Sequence, residues 1–236
     1  MKILAIETST LVSSVALATE ERVLAELTTA TRLTHSETLL PHIEQVMKLA
    51  GVERSELTAV AVSIGPGSFT GLRIGLATAK GLAYALNLPL VGVSTLAALA
   101  AGFPLAGSVV GSMLDAQKGN VYLELYRSTP TEQEVIAPVE VLPLEEALAR
   151  CAAVGSPVMV VGDIAAKKLR GRELPENVYL APPSHVLPRA AAVAELAKLR
   201  LAKGEADSVM DLAPTYIRRS EAEELWEKRQ KQAVQA

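Results

Sequence analysis

The segment Ser63–Leu99 constrains the fold of this chain more than any other stretch. Its residues predict an apolar strand, a Gly-Pro-Gly turn, a helix rich in small residues, a second short strand and the beginning of another helix. This alternation is typical of an α/β fold. The turn at 65–67 can present backbone N–H groups to a phosphate at the start of the helix. No catalytic base, nucleophile or metal cluster accompanies it, so a nucleotide-binding architecture that works with a partner is predicted.

Composition narrows the class of protein further. The formal net charge is −3 and aromatic residues make up 3% of the chain, which excludes a protein that grips nucleic acid alone. The single cysteine, Cys151, excludes an intrachain disulfide and fits a reducing cytoplasm. The uncharged run 81–114 is interrupted by prolines, glycines and polar residues. It therefore predicts buried core elements rather than a membrane span, which needs ~20 continuous apolar residues.

Hydrophobic periodicity predicts a similar order of elements twice along the chain. The first half has strands at 2–7, 12–19, 22–29, 58–64 and 89–93 and helices at 36–50 and 70–86. The second half has strands at 108–115, 120–127, 133–141 and 157–162 and helices at 143–151 and 188–203. We therefore expect two related lobes, with residues 1–102 in the N-terminal lobe, 103–213 in a smaller C-terminal lobe and 214–236 in a tail that is frayed helix or disordered.

Two turns are candidates for nucleotide binding. The first follows the first strand and contains Thr8, Ser9 and Thr10, whose hydroxyls and backbone N–H groups suit a phosphate. The second contains Gly65, Gly67 and Ser68, and it is not a Walker A loop because no Gly-Lys-Ser/Thr follows. Ordinary turn chemistry explains the same residues, so both interpretations stay open.

Small residues recur every four positions along the helix that follows the Gly-Pro-Gly turn. Gly71, Gly75, Ala79 and Ala83 form this stripe, which lets another backbone approach closely. The stripe predicts either helix packing within the chain or a helix–helix interface with a second chain.

The sequence carries no pattern typical of a metal or cofactor site. His35 and His42 are seven residues apart, about 10.5 Å of helical rise, which is too far to share one ion. We therefore expect no metal and no cofactor. Asp115 and Asp163 end buried strands, where they are either cleft residues or ordinary turn formers.

Four segments together resemble the bacterial TsaB family. They are ILAIETST at Ile3–Thr10, HSETLLPHI at His35–Ile43, GPGSFTGLRIGLATAKGLA at Gly65–Ala83 and PTYIRR at Pro214–Arg219. The resemblance implies an actin/Hsp70/sugar-kinase-like fold, in which each of two related lobes has a mixed sheet flanked by helices. It also implies kinship with TsaD, with which TsaB shares the older glycoprotease or peptidase M22 label.

The resemblance implies a cytoplasmic, non-catalytic subunit of the machinery that places N6-threonylcarbamoyl on adenosine 37 of tRNA. Its implied partners are a TsaD-like catalytic subunit and a TsaE-like ATPase, with tRNA reached only through the complex and a homodimer formed when TsaD is absent. TsaD has a metal motif of the form Asn-His-Leu-Glu-Gly-His; at the histidine positions this chain has Thr95 and Leu99. Neither suits a metal, so the chain is expected to lack TsaD's chemistry.

The implied partner surface lies on the helices 36–50 and 71–86. Its expected residues are Leu39, Leu40, Ile43, Met47, Gly71, Leu72, Gly75, Leu76, Ala79 and Ala83. One alternative is a small-molecule kinase or ATPase acting alone, with the two turns binding phosphates and Asp115 as the base. A metallopeptidase is the other alternative, and the missing ligands count against it.

Overall fold

The first half of the chain builds a five-stranded sheet. The computed structural model describes residues 1–30, 35–103, 105–129 and 133–218. The strands of the first sheet are β1 (Lys2–Glu7), β2 (Ser13–Thr19), β3 (Val23–Thr29), β4 (Ala59–Gly65) and β5 (Leu90–Ser94). They lie in the order β3-β2-β1-β4-β5, with β1 antiparallel to β2 and parallel to β4. The hairpin predicted around residues 20–21 is confirmed.

The second half repeats this arrangement. Its strands are β6 (Val109–Asp115), β7 (Asn120–Ser128), β8 (Gln133–Pro143), β9 (Val158–Val161) and β10 (Val178–Leu180), in the order β10-β9-β6-β7-β8. Strand β6 is antiparallel to β7 and parallel to β9, as β1 is to β2 and β4. The expected pair of mixed sheets flanked by helices is therefore confirmed. Strand β10 was not predicted, because its three residues are too few to show a period.

Five α-helices connect and cover the sheets in the described ranges. They are α1 (His35–Ala50), α2 (Phe69–Leu86), α3 (Thr95–Ala101), α4 (Leu144–Ala152) and α5 (Ala190–Ala202). The Ser68 hydroxyl caps α2 by accepting the Gly71 N–H at 3.2 Å, and Asn87 ends the helix in a left-handed conformation. In these ranges no helix combines the length with the hydropathy that crossing a lipid bilayer requires.

Helices α1 and α2 lie on one face of the first sheet. Their buried apolar residues share one core with the inward side chains of β1, β2, β4 and β5; this core contains Leu39, Ile43, Val46, Leu76, Ala79, Ala83, Leu4, Ile6, Val15, Leu17, Val60, Val62 and Leu90. Burial of this apolar surface fixes both helices on the sheet, because removing apolar area from water is the main driving force for packing.

Helix α5 covers the opposite face of the first sheet, which departs from the expected boundaries. It falls within residues 103–213, the range expected to form the C-terminal lobe, yet Ala190, Val193, Ala194 and Ala197 are buried against β1, β2, β4 and β5. These short side chains let the helix approach closely. Glu26 on β3 also accepts the Ala191 N–H at 3.0 Å at the start of the helix. The first lobe is therefore built from two separate parts of the chain.

Helix α3 joins the two lobes. Leu96, Leu99 and Ala100 are buried in the core of the second lobe, while Ala98 is buried in the first. The link is strengthened by Ser112 on β6, whose hydroxyl donates to the Leu96 carbonyl at 2.8 Å. Helix α3 therefore connects the two lobes through buried apolar packing.

The segment after α5 covers the edge strand β5. Asp207 pairs with it, because the Asp207 N–H donates to the Leu90 carbonyl at 2.8 Å and the Gly92 N–H donates to Asp207 Oδ2 at 2.7 Å. Arg200 donates to both carboxylate oxygens of Asp207, at 2.9 and 3.1 Å. Burial alone would raise the pKa of Asp207, but these hydrogen bonds and the guanidinium charge outweigh it and lower the pKa. The ionised carboxylate therefore stabilises this edge.

We expect Asp207→Asn to reduce the free energy of unfolding by ~1 kcal/mol at pH 7, a value limited by solvent screening of the partly exposed pair. Because the folded state lowers this pKa, the stabilisation is present above the unfolded pKa of about 4 and is lost as the pH falls through the folded value. Urea unfolding between pH 2 and pH 7 measures it. Asp211→Asn, an exposed change four residues away, serves as the control; equal pH profiles for both variants would contradict the assignment.

Candidate functional site: the cleft between the lobes

The turn between β1 and β2 folds around a buried carboxyl group. Glu7 ends β1 with its side chain fully buried. The Ser9 N–H and the Ser9 hydroxyl donate to Glu7 Oε1 at 2.6 and 2.5 Å. Burial raises the pKa of Glu7, against the opposing effect of the Ser9 hydrogen bonds and the Ser63 hydroxyl. Glu7 Oε2 has no hydrogen-bond partner of acceptable geometry among the described residues. The turn is therefore organised around a carboxyl that the protein favours in its neutral form.

The start of α2 lies directly on this turn. The Ser68 N–H donates to the Ser9 carbonyl at 2.5 Å, and the Thr8 hydroxyl donates to the Gly71 carbonyl at 2.8 Å. A Cβ atom at Gly67 would lie 2.1 Å from the Ser9 carbonyl oxygen, and one at Gly71 would lie 2.1 Å from the Thr8 carbonyl oxygen. Such distances leave no room for a side chain, so glycine is required where the helix crosses the turn.

Gly75 extends the same contact one turn further along α2. Its Cβ would lie 2.2 Å from Thr8 Oγ1 and 3.6 Å from a methyl group of Ile6. Ala79 and Ala83 continue the stripe into the core below α1 and α2. Of the two interpretations of the small-residue stripe, the structure therefore supports helix packing within the chain.

The residues expected at a partner interface mostly lie inside the protein. Met47 is half-buried and Leu40 is 60% exposed. The other eight are buried in this single chain: Leu39, Ile43, Gly71, Leu72, Gly75, Leu76, Ala79 and Ala83. The structure corrects the expectation that these eight side chains meet a second chain, because the first sheet and the β1–β2 turn already occupy the space around them.

A cleft of about 620 Å³ separates the two turns from the second lobe. Four of the six residues proposed for nucleotide binding line it: Ser9, Thr10, Gly67 and Ser68. Thr8 is buried beneath α2, and Gly65 is covered by the Thr215 carbonyl, which lies 2.9 Å from the position of a Cβ atom. Nucleotide binding by this set stays a prediction.

The second lobe contributes charged groups to the opposite wall. Asp115 is the last residue of β6, and Asp163 follows β9. Both side chains line the cleft, which is one of the two interpretations that the sequence left open. Asp115 Oδ1 accepts from Lys168 Nζ at 3.1 Å and from the Gln117 N–H at 2.8 Å. Asp163 pairs with Lys167 at 2.8 Å. These contacts hold both carboxylates in structural hydrogen bonds.

A stretch of chain that sequence reasoning left to the tail also lines the cleft. Residues 215–218 form part of its wall, together with the turn at 117–118 and Tyr122. The remainder of the expected tail, 219–236, lies outside the described residues. The only sequence signal for this placement is PTYIRR itself, which has polar and apolar residues mixed without a helix or strand period.

The positions that correspond to histidines in the TsaD motif are buried in this chain. Thr95 begins α3 with a fully buried side chain, and its Oγ1 has no hydrogen-bond partner in the described ranges. Leu99, one turn later, belongs to the core of the second lobe. The described residues contain no cluster of three or more His, Cys, Asp or Glu side chains placed to hold a metal ion.

Two lobes with related mixed sheets and a cleft between them define an actin-like ATPase and sugar-kinase fold. A solved structure with this class of fold, an activator of 2-hydroxyisocaproyl-CoA dehydratase from Clostridium difficile, superposes with a TM-score of 0.50 at 11% identity, over 88% of this chain and 99% of that chain. The family model described as TsaD, tRNA N6-adenosine threonylcarbamoyltransferase, matches residues 22–226.

Close relatives specify the family within that class. The tRNA threonylcarbamoyladenosine biosynthesis protein TsaB of Bacillus subtilis is 32% identical over 98% of this chain and 100% of its own length. The protein of the same name in Escherichia coli is 30% identical over 97% of this chain and 98% of its own length. The structure of YeaZ from Pseudomonas aeruginosa superposes with a TM-score of 0.78 at 31% identity, over 92% of this chain and 99% of that chain. The chain belongs to the TsaB family, as its motifs predicted.

Proposed function

We propose that this chain is a non-catalytic scaffold and dimerization subunit of the cytoplasmic complex that installs N6-threonylcarbamoyl on adenosine 37 of tRNA. Its partner is a TsaD-like catalytic subunit, joined by a TsaE-like ATPase, and tRNA is reached through the assembled complex. Without the catalytic subunit the chain pairs with itself. The names of its relatives support a place in this pathway.

The cleft and α3 argue against independent chemistry. Thr95 and Leu99 stand where the resemblance implies metal-binding histidines, and both are closed off from solvent. Asp115, the base in the alternative kinase mechanism, is paired with Lys168 and accepts the Gln117 N–H through the same oxygen, Oδ1. The replacement of the implied metal-binding histidines favours a supporting role over metal-dependent turnover by the chain alone.

The observation that carries the proposal is the outer face of α2. Ala77, Gly81 and Ala85 are exposed and recur every four residues, so they form a second small-residue stripe on the side away from the sheet. A Cβ atom at Gly81 would have no heavy atom within 4 Å. Tyr84, beside this stripe, is 75% exposed. We define these four residues as the outer α2 surface.

The chemistry of the outer α2 surface suits a helix from another chain. Small residues let two backbones approach closely, and an exposed aromatic side chain next to them supplies the apolar area that anchors an interface. Exposed Leu40 on neighbouring α1 is consistent with an interface that extends over both helices. The proposed partner surface thus keeps Leu40 from the expected set on α1 and uses different positions on α2.

We expect Gly81→Leu to weaken binding of a TsaD-like subunit by about 10- to 100-fold, because the new side chain holds the partner helix away. Stability should not fall, since the site is open and leucine is a better helix former than glycine. Isothermal titration calorimetry with the purified subunit measures the affinity. Ala149→Leu, an equally exposed change on α4, is the matched control. Equal affinities for the two variants would contradict this surface.

A reconstituted tRNA modification assay tests the role itself. We expect modification to stop when this chain is left out, and the chain alone to transfer no threonylcarbamoyl group. ATP turnover by the isolated chain that is abolished by Asp115→Asn would overturn the non-catalytic role and support the kinase or ATPase alternative.

A further inference from the structure

The segment 214–218 runs from the first lobe to the second. It begins beside β4, where the Thr215 N–H donates to the Ile64 carbonyl at 2.7 Å. At the other end the Arg218 guanidinium donates to the Ala116 carbonyl, which follows β6 in the second lobe. All but Pro214 of these five residues line the cleft. The segment is therefore attached to both walls of the cleft that it lines.

The attachment to the first lobe is centred on an aromatic stack. The rings of Tyr216 and Phe69 stack with centroids 4.7 Å apart. The Arg73 guanidinium lies 3.8 Å from the Phe69 ring centroid, and its Nε donates to the Tyr216 hydroxyl at 3.0 Å. Phe69 and Arg73 both belong to the first turns of α2. The stack therefore holds the segment against the helix that also packs on the β1–β2 turn.

The attachment to the second lobe combines the packing of partly buried Ile217 against the core of that lobe with polar contacts of Arg218. Besides its hydrogen bond to Ala116, the Arg218 charge lies close enough to Tyr122 on β7 to oppose the rise that burial causes in the pKa of that phenol. A charge-assisted hydrogen bond to a backbone carbonyl is directional and can be broken without opening a core. This end of the segment is thus easier to release than the buried packing of α3.

Two of the connections between the lobes in the described ranges differ in character. Helix α3, which does not line the cleft, contributes buried apolar side chains to both cores. Along the cleft wall, the segment contributes hydrogen bonds of Thr215, Tyr216 and Arg218, the partly buried side chain of Ile217, and a stack in which Tyr216 remains 41% exposed. If the second connection is broken, α3 remains as a hinge.

We propose that residues 214–218 act as a clasp that holds the two lobes together across the cleft, and that release of the clasp lets the lobes separate about α3. The clasp controls how open the cleft is and how readily solvent or a ligand reaches the β1–β2 turn and Asp115. This device is independent of the scaffold role, because it concerns the isolated chain and none of its positions belongs to the outer α2 surface.

The distance between the lobes tests the clasp. Spin labels are attached at two exposed positions, one on α1 and one on α4, through Lys48→Cys and Glu146→Cys. Cys151 does not interfere, because it is buried and burial raises the pKa of its thiol to about 12. Double electron–electron resonance is compared for the intact chain, Tyr216→Ala/Arg218→Ala, and Tyr179→Ala, which removes an exposed tyrosine on β10, outside both the clasp and the outer α2 surface.

We expect a narrow distance distribution in the intact chain and in Tyr179→Ala, and a broader distribution shifted to longer distances in the double variant. The pair Tyr216→Phe/Arg218→Lys keeps the stack and the positive charge, so it should remain near the intact chain. An unchanged distribution in the alanine double variant would overturn the clasp, as would broadening of the same size in Tyr179→Ala.

Hydrogen exchange distinguishes a clasp from a merely local contact. In the alanine double variant we expect about 10-fold faster exchange both in peptides covering 64–70 and in those covering 114–118, which lie in different lobes. Peptides from β1 and β7 should exchange as in the intact chain, which shows that the fold persists. Acceleration confined to 64–70 would overturn the proposal, because it would mean that the segment only covers the first lobe.

Discussion

Gly71→Ala is expected to lower the free energy of unfolding by about 3 kcal/mol, although alanine is ordinarily the better helix former. The new Cβ would lie 2.1 Å from the Thr8 carbonyl oxygen and 3.2 Å from the His35 ring. The first neighbour is backbone, so it cannot rotate away. Either α2 must move off the β1–β2 turn or the turn must shift, and both changes disturb the hydrogen bond from the Thr8 hydroxyl to the Gly71 carbonyl.

Gly81→Ala is the matched control for this change. Gly81 lies ten residues further along the same helix, with no heavy atom near its Cβ position. There the same substitution should stabilise the protein by ~0.5–1 kcal/mol, because it removes conformational freedom from the unfolded chain and adds no contact. Denaturant unfolding followed by circular dichroism measures both variants. Equal stability changes would mean that α2 does not lie against the turn as described.

A bulky side chain at Gly75 would damage the first lobe. Its Cβ would lie 2.2 Å from Thr8 Oγ1 inside the chain. A loss of partner binding in Gly75→Leu would therefore follow from misfolding of that lobe, whatever surface the partner uses. Gly81→Leu separates binding from folding and is for that reason the informative test of pairing.

Glu7→Ala is expected to lower the free energy of unfolding by about 3 kcal/mol at pH 5. The change leaves the Ser9 N–H and the Ser9 hydroxyl without their acceptor in a buried turn and also opens a cavity. Glu7→Gln keeps an acceptor oxygen of the same reach, so at this pH it should cost much less. Similar losses in both variants would show that the two Ser9 hydrogen bonds do not organise the turn.

The pH dependence of Glu7→Gln supplies an independent readout. Because burial raises the pKa of Glu7 in the folded state, the neutral acid contributes stability that is fully present below the unfolded pKa of about 4.3. That contribution is lost as the pH rises towards the folded pKa. Glu7→Gln cannot ionise, so its stability relative to the intact chain should increase between pH 4 and pH 8. Parallel stability profiles would contradict the assignment.

The sequence predicted helices and strands well where a local pattern of apolar residues determines their bounds. The period of apolar residues located α1 and α2 within one residue at each end, because each helix has one buried face, and Gly51 and Asn87 stop them. Strand β10 and the single π-helical turn Ala165–Leu169 had no such period. Their conformations depend on neighbours that are distant in sequence, which local patterns do not specify.

The sequence predicted several residues of the candidate site, but it did not predict what those residues contact. Ser9, Gly67 and Asp115 were identified, and they do lie around one cleft. The direction that the stripe containing Gly71 faces could not be decided, because close approach to the chain's own turn and close approach to a second chain require the same small residues. The sequence also did not predict that α5 packs on the first sheet or that the segment 214–218 lies at the cleft. Both placements depend on long-range packing, which local patterns do not specify.

The split composition of the first lobe has a consequence during biosynthesis. A ribosome completes β5 about 95 residues before it begins α5, so one side of the first sheet remains bare for between about 5 and 19 s at ordinary rates of translation. During that time the nascent chain presents Ile3, Ala5, Val91 and Val93 to the solvent without their final cover. Protection of the emerging polypeptide therefore has to come from other molecules or from transient collapse until the last helix leaves the exit tunnel.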